Sequence, residues 1–394
     1  MTATVGWRYR QTVLALCTLA LFATMVARLA ISPLVPAITA EFGVSNAIVG
    51  LALTGMWLTY GLAQYPSGVL ADRYGERPVI LVAVFGTALG SLLIALAPGF
   101  VLFALATVVL GALAGLHFSV ATTLLTRTYD EVGTAIGLHT LGGTGGGLLA
   151  PILAAWIGAR YGWRLGVAIG VVVAVPVFVL FAWKIRPTEP RRPGLRVREQ
   201  FGLDPLKRTL SRPQIAFTVL LAVIITFVWQ GLASFLPTFL IDHHDQSGTL
   251  AATVFSVFFV VQGVAQVGVG SVSDTYGRDP VTLVCLGLAA AGLLGLVAAP
   301  SLGWVLVAVV LVGVGLSAFS AVMARFMDCF SSEERGAGFG LTQGVNMVIS
   351  SSGSVVVGAV ADLAGWSASF GVLTALLSLA FCALAANGLL GLGY

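Results

Sequence analysis

The sequence predicts an all-α membrane protein with twelve transmembrane helices in two pseudo-symmetric six-helix bundles and with both termini in the cytoplasm. Three observations support this prediction: an apolar composition, twelve apolar runs of membrane-spanning length, and an internal repeat. Of the 394 residues, 58% are hydrophobic and only 9% are charged. A soluble globular domain has about 25% charged residues, so this composition excludes an ordinary soluble fold.

The twelve apolar runs are each long enough to cross the hydrocarbon core as a helix, which needs about 20 residues. A helix satisfies its own backbone hydrogen bonds in lipid, whereas a membrane barrel would show short strands of alternating polarity. The predicted spans are 12–38, 46–70, 78–97, 99–126, 133–158, 164–184, 213–241, 249–272, 280–299, 302–327, 336–362 and 366–389.

The basic residues orient the chain in the membrane. Nine of the twenty lie between the sixth and seventh spans, in residues 184–212, and eight others fall on the same side, whereas Arg160 and Arg164 fall on the opposite side. The positive-inside rule therefore places the termini in the cytoplasm of a multi-pass protein of the plasma or inner membrane. The predicted domains are an N-terminal bundle (1–184), a cytoplasmic basic linker (185–212) and a C-terminal bundle (213–394).

A short charged stretch occurs twice in this weakly charged chain. "GVLADRYGERPVILV" begins at Gly68 and "GSVSDTYGRDPVTLV" begins at Gly270, so that Asp72 and Asp274 are 202 residues apart. Other pairs along the chain keep nearly the same offset, including Trp163 and Trp366. Such an offset predicts two halves that run in the same sense, which is the parallel-repeat form of secondary transporters.

The first copy resembles the loop motif G-x-L-a-D-R-x-G-r-k of the major facilitator superfamily, with Glu76 in place of one basic residue. The resemblance extends over the whole chain and implies a transporter in which this cytoplasmic motif latches the two halves when the cavity opens outward. Gly68 is expected to allow close helix approach and Gly75 to form a turn. Because the charge order is reversed in the second copy, the first is expected to be the stronger latch. The motif residues are Gly68, Asp72, Arg73, Gly75, Arg77, Asp274, Gly277 and Arg278.

Arg28 is the charged residue that falls well inside a predicted span, with Thr24 and Ser32 four residues away on the same helical face. A charge at that depth needs a partner, and no acidic residue lies deep in any predicted span. Two interpretations remain open. Arg28 either donates to backbone carbonyls or reaches toward the interface, or its partner is an anionic substrate held by the planar guanidinium.

A second resemblance favours the anion. Within the superfamily, the organophosphate and organic-anion transporters have a substrate-binding arginine similarly placed before a proline, as Arg28 is before Pro36. The resemblance implies that role for Arg28. Phosphate-exchanging members also have an arginine in the seventh helix, where this chain has Trp229 and Gln230. This departure indicates a smaller or singly charged anion.

Further polar residues at predicted membrane depth are candidate substrate contacts. His117 and His139 can donate to an anion or hold a proton, although either can also be a packing residue. The glycine-rich stretch around His139 predicts close helix packing, and a one-faced polar stripe in the eleventh span predicts a lining of the pathway. The predicted substrate-contacting residues are Arg28, Thr24, Ser32, His139, His117, Trp229, Gln230, Gln343 and Asn346.

The sequence contains no Walker motif and no metal-ligand spacing of its four cysteines. We therefore expect no enzymatic activity, cofactor, metal or nucleic-acid partner, and a monomer in the lipid bilayer. The expected function is secondary transport of a small organic or inorganic anion by alternating access, with protons as a candidate coupling ion. The alternatives are a multidrug-type exporter of neutral or hydrophobic compounds, with a structural Arg28, and a non-transporting sensor.

Overall fold

The computed structural model describes residues 7–192, 211–330 and 335–394, and every regular element in these ranges is a helix. The α-helices, in chain order, are α1 (Trp7–Leu29), α2 (Val35–Phe42), α3 (Asn46–Tyr74), α4 (Glu76–Ala95), α5 (Phe100–Ala114), α6 (His117–Thr128), α7 (Val132–Tyr161), α8 (Trp163–Lys184), α9 (Pro213–Asp242), α10 (Gly248–Tyr276), α11 (Arg278–Ala298), α12 (Leu302–Leu316), α13 (Ala318–Cys329), α14 (Arg335–Ser350) and α15 (Gly353–Leu390).

These helices form eleven segments, within the described ranges, that are long and apolar enough to cross a membrane. The last segment, Thr342–Leu390, covers most of the eleventh predicted span and all of the twelfth. The two spans are separated by a break in the helix at Gly365, where φ is 83° and ψ is 167°. The predicted span boundaries agree with the observed helices to within a few residues at most ends. The all-α membrane fold is therefore confirmed.

The first predicted span is wrong in one respect, because it is not a continuous helix. α1 ends at Leu29, a 3-10 turn covers Ser32–Leu34, and α2 begins at Val35. Pro33 and Pro36 lack the N–H groups that would continue the helical hydrogen bonds, so the helix is interrupted here. Arg28 therefore lies on the last turn of α1, and Ser32 lies beyond that helix rather than on the same helical face.

The chain divides into two compact units. The first comprises Met1–Gly43 and Gly55–Phe201, and the second comprises Val44–Thr54 and Gly202–Tyr394. The second unit thus includes the beginning of α3, where the backbone N–H of Ala47 donates to the carboxylate of Asp362 at 2.7 Å. The predicted linker, residues 185–212, falls largely on residues 193–210, which lie outside the described residues.

Four glycines have the same unusual backbone conformation at matching places of the repeat. Gly75 (φ 87°, ψ 161°) joins α3 to α4, and Gly277 (φ 93°, ψ 156°) joins α10 to α11. Gly162 (φ 87°, ψ 154°) joins α7 to α8, and Gly365 breaks α15. This region of φ and ψ is essentially restricted to glycine, so each of these four turns depends on its glycine. The turn predicted at Gly75 is confirmed. The backbone conformation of these turns follows the same internal repeat as the sequence.

A ladder of buried hydrogen bonds joins α9 to α14 and α15 within the second unit. Its members are one helical turn apart on each side, so the three rungs stack. The side chains of all six residues are buried. We call this set the polar ladder; its rungs are Thr226–Asn346 at 3.2 Å, Gln230–Ser350 at 3.3 Å and Ser234–Ser354 at 2.7 Å.

The polar ladder is expected to stabilise the second unit by a modest amount for each rung. Ser234→Ala and Ser354→Ala each remove one hydroxyl of the shortest rung, and we expect a coupling of about 0.6 kcal/mol, which is typical of hydrogen bonds between membrane helices. A double-mutant cycle on the free energy of unfolding in mixed micelles measures this coupling. As a control, Ser234→Ala should be additive with Thr253→Ala, because the Thr253 hydroxyl bonds within its own helix. A coupling of zero would contradict the prediction.

Candidate functional site

Arg28 is buried in the first unit, with only 2% of its surface exposed. Its Nε donates to the backbone carbonyl of Thr24 at 3.0 Å, and its Nη2 contacts the sulfur of Met25 at 3.3 Å. Tyr60 and Trp57, both on α3, place their ring centroids 3.9 Å and 5.1 Å from the guanidinium carbon. Cation–π contacts and bonds within α1 therefore hold the guanidinium in a defined orientation.

Arg28 has no acidic partner among the residues that the structure describes. None of the ion pairs found there, with N–O distances up to 4.0 Å, includes Arg28. Within the same part of the chain, Glu76 is the buried acidic side chain, and it pairs with Arg127 at 2.6 Å. A buried cation without a counter-ion is costly at membrane depth.

His117 lies near this arginine, and His139 lies beside His117. His117 begins α6, His139 lies on α7, and their ring centroids are 5.6 Å apart. Both side chains are fully buried; the His117 ring interacts with the backbone of Cys17, and neither ring nitrogen of His139 has a hydrogen-bond partner among the described atoms. His117 interacts electrostatically with Arg28 as well as with His139. We call Arg28, Trp57, Tyr60, His117 and His139 the arginine–histidine cluster.

Close packing of α1 against α7 positions the cluster. A Cβ atom at Gly142 would lie 2.2 Å from the backbone oxygen of Thr18, and one at Gly146 would lie 2.6 Å from Cβ of Met25. The close packing predicted from the glycine-rich stretch around His139 is therefore confirmed. The described residues contain no group of three or more His, Cys, Asp or Glu side chains that could hold a metal ion.

The other predicted substrate contacts are bonded to neighbours within their own unit. The Thr24 hydroxyl donates to the carbonyl of Leu21 at 2.9 Å, and Ser32 is buried in the 3-10 turn. In the second unit, the Trp229 indole donates to Oε1 of Gln262 at 2.9 Å. Gln343 accepts a hydrogen bond from Asn346 at 3.3 Å, and Gln230 and Asn346 belong to the polar ladder. Their participation in substrate binding remains a prediction.

The first copy of the repeated motif is anchored to its own unit. Glu76, at the start of α4, is 2% exposed and pairs with Arg127 at the end of α6. The backbone N–H of Arg77 donates to the Thr188 hydroxyl at 3.0 Å, and its Nη2 donates to the carbonyl of Ala182 at 2.7 Å. The turn is thus tied to α6, α8 and the segment that follows α8.

The second copy repeats this arrangement with the charge order reversed. Arg278 pairs with Asp274 and, at 3.1 Å, with Asp328, while Asp279 accepts a hydrogen bond from Nε of Arg325 at 2.7 Å. In both copies an acid in the first turn of a helix pairs with an arginine two helices later. The close helix approach expected at Gly68 is not found in the described part of the chain, where no atom lies within 4 Å of a Cβ built there.

Comparison with known proteins identifies the family. The model of the Major Facilitator Superfamily matches residues 17–253 and 219–388. Probable anion transporter 6, chloroplastic, of Arabidopsis thaliana is 34% identical over 121 residues, which cover 28% of this chain and 23% of that protein. Quinidine resistance protein 1 of Saccharomyces cerevisiae is 30% identical over 122 residues, which cover 31% and 22%. The chain thus matches less than a quarter of the length of either relative.

Solved structures share the fold over nearly the whole chain. A bacterial homolog of the human lysosomal transporter Spinster, in an inward-facing and unoccupied conformation, has a TM-score of 0.80 at 19% identity and covers 97% of this chain and 98% of that one. A D-xylose–proton symporter has a TM-score of 0.76 at 17% identity and covers 95% and 97%. Because the family model matches well over half of the sequence, the chain is a member of the Major Facilitator Superfamily, a multi-pass and non-enzymatic membrane transporter.

Proposed function

We propose that the protein is a secondary transporter of a small anion, which Arg28 binds in the first unit. The observation that supports this proposal is the burial of Arg28 without an acidic partner among the described residues. A planar guanidinium recognises carboxylates and phosphates through parallel N–H donors. The cluster offers one fixed positive charge and two imidazoles, a combination suited to a monoanion.

The internal repeat places glycines of α7 at the positions that match two members of the polar ladder. Thr24, Arg28 and Ser32 are each 202 residues before Thr226, Gln230 and Ser234, the three α9 members of the polar ladder. In the second unit those residues bond to Asn346, Ser350 and Ser354. The positions 203 residues before Asn346 and Ser350 are Gly143 and Gly147, which have no side chain to bond. The first unit thus lacks these rungs, which is consistent with a site for an external ligand.

We also propose that transport proceeds by alternating access, with both termini in the cytoplasm of the plasma or inner membrane. The distribution of arginines and lysines supports this orientation. In this scheme the turns at Gly75 and Gly277 act on the cytoplasmic side as latches, and the first copy is the stronger one. The conformation of both turns depends on glycine, and the surrounding arginines anchor each turn in its own unit.

A transport panel in proteoliposomes tests the anion proposal. We expect uptake of labelled monoanions such as glucuronate or p-aminohippurate above that of protein-free liposomes, and weak uptake of the dianion sulfate. D-xylose and quinidine are the neutral and cationic controls. Permeant weak acids such as acetate are unsuitable, because they cross lipid bilayers without a carrier. Transport of the controls without any anion would contradict the proposal.

A multidrug-type exporter is the second candidate function. The similarity to Quinidine resistance protein 1 favours it, and Arg28 would then be structural, held by its bonds within α1 and by the two aromatic rings. The same panel distinguishes the two functions. Quinidine transport that persists in Arg28→Ala would support the exporter, whereas anion transport that is lost in Arg28→Ala supports the anion carrier.

A further inference from the structure

The His117–His139 pair is buried and close to a cation, and His139 has no hydrogen bond to the described protein atoms. Such groups are rare, because a buried polar atom without a partner costs free energy. An imidazole is also the side chain whose protonation changes most readily near neutral pH. Both features require an explanation that Arg28 and its anion alone do not provide.

We propose that His117 and His139 together hold one proton, which is bound and transported with the anion on Arg28. This inference rests on the anion function proposed above. The proton binds to an unpaired ring nitrogen of one imidazole, and the other imidazole remains neutral. Two charged imidazoles with centroids 5.6 Å apart, beside the arginine, would repel each other strongly in a buried site. The pair therefore has the capacity for one proton rather than two.

The charges of the site make proton and anion binding favour each other. Among the described residues, the groups that interact with His117 or with Arg28 are Arg28 itself and the backbone of Cys17 on α1 and the side chain of Tyr60 on α3. Of these groups, Arg28 carries the charge. A proton beside Arg28 is unfavourable until an anion supplies a negative charge. By linkage, the proton must then strengthen anion binding by the same factor that the anion strengthens proton binding.

The net charge of the site also fits cotransport. The empty cluster carries the single positive charge of Arg28. With a monoanion and one proton bound, the net charge is again one positive charge, so the empty and loaded states respond equally to the membrane potential. A monoanion without a proton would leave a neutral loaded site, and the return of the empty site would then move a charge across the membrane. The inferred process is electroneutral symport of one proton with one monoanion.

Proton movement in proteoliposomes tests this inference with wild-type protein. Pyranine trapped in the lumen should report acidification when glucuronate enters, with no dependence on the membrane potential clamped by valinomycin and potassium. Binding of the anion should weaken by up to about tenfold per pH unit above the titration of the pair, as expected when one proton is required. Anion entry without acidification would overturn the inference and leave the anion proposal intact.

Three variants of the histidine pair and one control variant localise the proton. In His117→Gln, His139→Gln and the double variant, we expect anion-driven acidification to be lost and the pH dependence of binding to flatten, while anion exchange at equal pH is partly retained. The control is His243→Gln/His244→Gln, which replaces the two remaining histidines; these bond to the carbonyls of Val297 and Leu296. The control should keep full coupling.

The outcomes separate the two proposals. Continued acidification with anion entry in all three variants of the pair overturns the role of His117 and His139. A wild-type protein that transports no anion contradicts the proposed function, and with it the inference that depends on it. If the double variant does not fold, the single variants still test the role of His117 and His139, and anion transport by the wild-type protein still tests the proposed function.

Discussion

Arg28→Ala will lower anion affinity by about 30-fold or more, and transport will fall with it. Truncating one partner of a buried, hydrogen-bonded charge pair costs about 2–5 kcal/mol, which corresponds to a loss of roughly 30-fold to several thousand-fold in the binding constant. Binding of labelled glucuronate to the protein in nanodiscs measures the affinity, and uptake into proteoliposomes measures transport. Loss of uptake with unchanged affinity would contradict a direct contact between Arg28 and the anion.

Arg28→Lys keeps the charge and distinguishes charge from geometry. Lysine lacks the planar fork and the flat surface that lies 3.9 Å from the Tyr60 ring, so it can neither bind a carboxylate through two parallel donors nor stack in the same way. We therefore expect an affinity between those of wild type and Arg28→Ala. Equal affinity of lysine and arginine would show that the guanidinium geometry does not matter.

The stability of the same variants separates a substrate-binding arginine from a structural one. A buried charge without a partner destabilises the ligand-free protein, so removing it in Arg28→Ala should leave the unfolding temperature unchanged or raise it. Anion-induced stabilisation, which we expect in wild type, should disappear. A structural Arg28 predicts the opposite result, a clear loss of stability without any anion.

Arg164→Ala is the matched control, because this arginine lies in the same unit but has an acidic partner, Glu41. Both side chains of that pair are partly exposed, and exposed ion pairs contribute at most about 1 kcal/mol. We expect a small loss of stability and no change in anion affinity. Arg28→Ala should therefore lower anion affinity without lowering stability, whereas Arg164→Ala should slightly lower stability without changing anion affinity.

Hydropathy and spacing were sufficient to predict the helices and the repeat, because lipid requires long apolar helices and both halves use the same turns. Arg28 also stood out, since a charge inside an apolar run needs a partner. The partners themselves were not predictable: Trp57 and Tyr60 are two of many aromatic residues in apolar spans, and no local pattern shows which ring faces which helix. The interruption after Leu29 had a visible signal in Pro33 and Pro36.

The polar stripe of the eleventh span forms hydrogen bonds that its spacing alone did not predict. Spacing predicted that Asn346 and Ser350 share a face, and the structure places both in the polar ladder. The matching stripe on α9, which includes Thr226 and Gln230 at four-residue spacing, was the missing signal for an interhelical seam. When two helices of one bundle have polar stripes with the same period, hydrogen bonds between the stripes should be considered before a role in a substrate pathway.

Gly75→Ala will destabilise the first unit more than Gly277→Ala destabilises the second. Both positions have φ near 90°, where a Cβ atom causes strain of about 1–3 kcal/mol. At Gly75 the Cβ would also lie 2.4 Å from the backbone oxygen of Thr188, whereas at Gly277 the nearest atom is Cδ of Pro280 at 3.6 Å. Alanine at Gly75 must therefore displace the segment that covers the turn.

That displacement breaks specific bonds, which explains why the difference between the two variants should be large. Thr188 accepts from the backbone N–H of Arg77, and the N–H of Arg192 donates to the backbone oxygen of Asp72 at 2.8 Å. Both bonds hold the segment after α8 against the motif, so moving Thr188 leaves the first turn of α4 without this cap. Thermal unfolding of detergent-solubilised protein, followed by tryptophan fluorescence, measures the midpoints.

Gly68→Ala provides the control for a glycine of the same motif that lies inside a helix. No described atom is within 4 Å of a Cβ at this position, and alanine favours a helix over glycine by about 1 kcal/mol. We expect its midpoint to equal or exceed that of wild type.

Equal midpoints for Gly75→Ala and Gly277→Ala would show that the segment around Thr188 adds nothing to the stability of the first turn. A stable Gly277→Ala would mean that the turn tolerates a side chain, and that the repeat preserves glycine at this position for another reason.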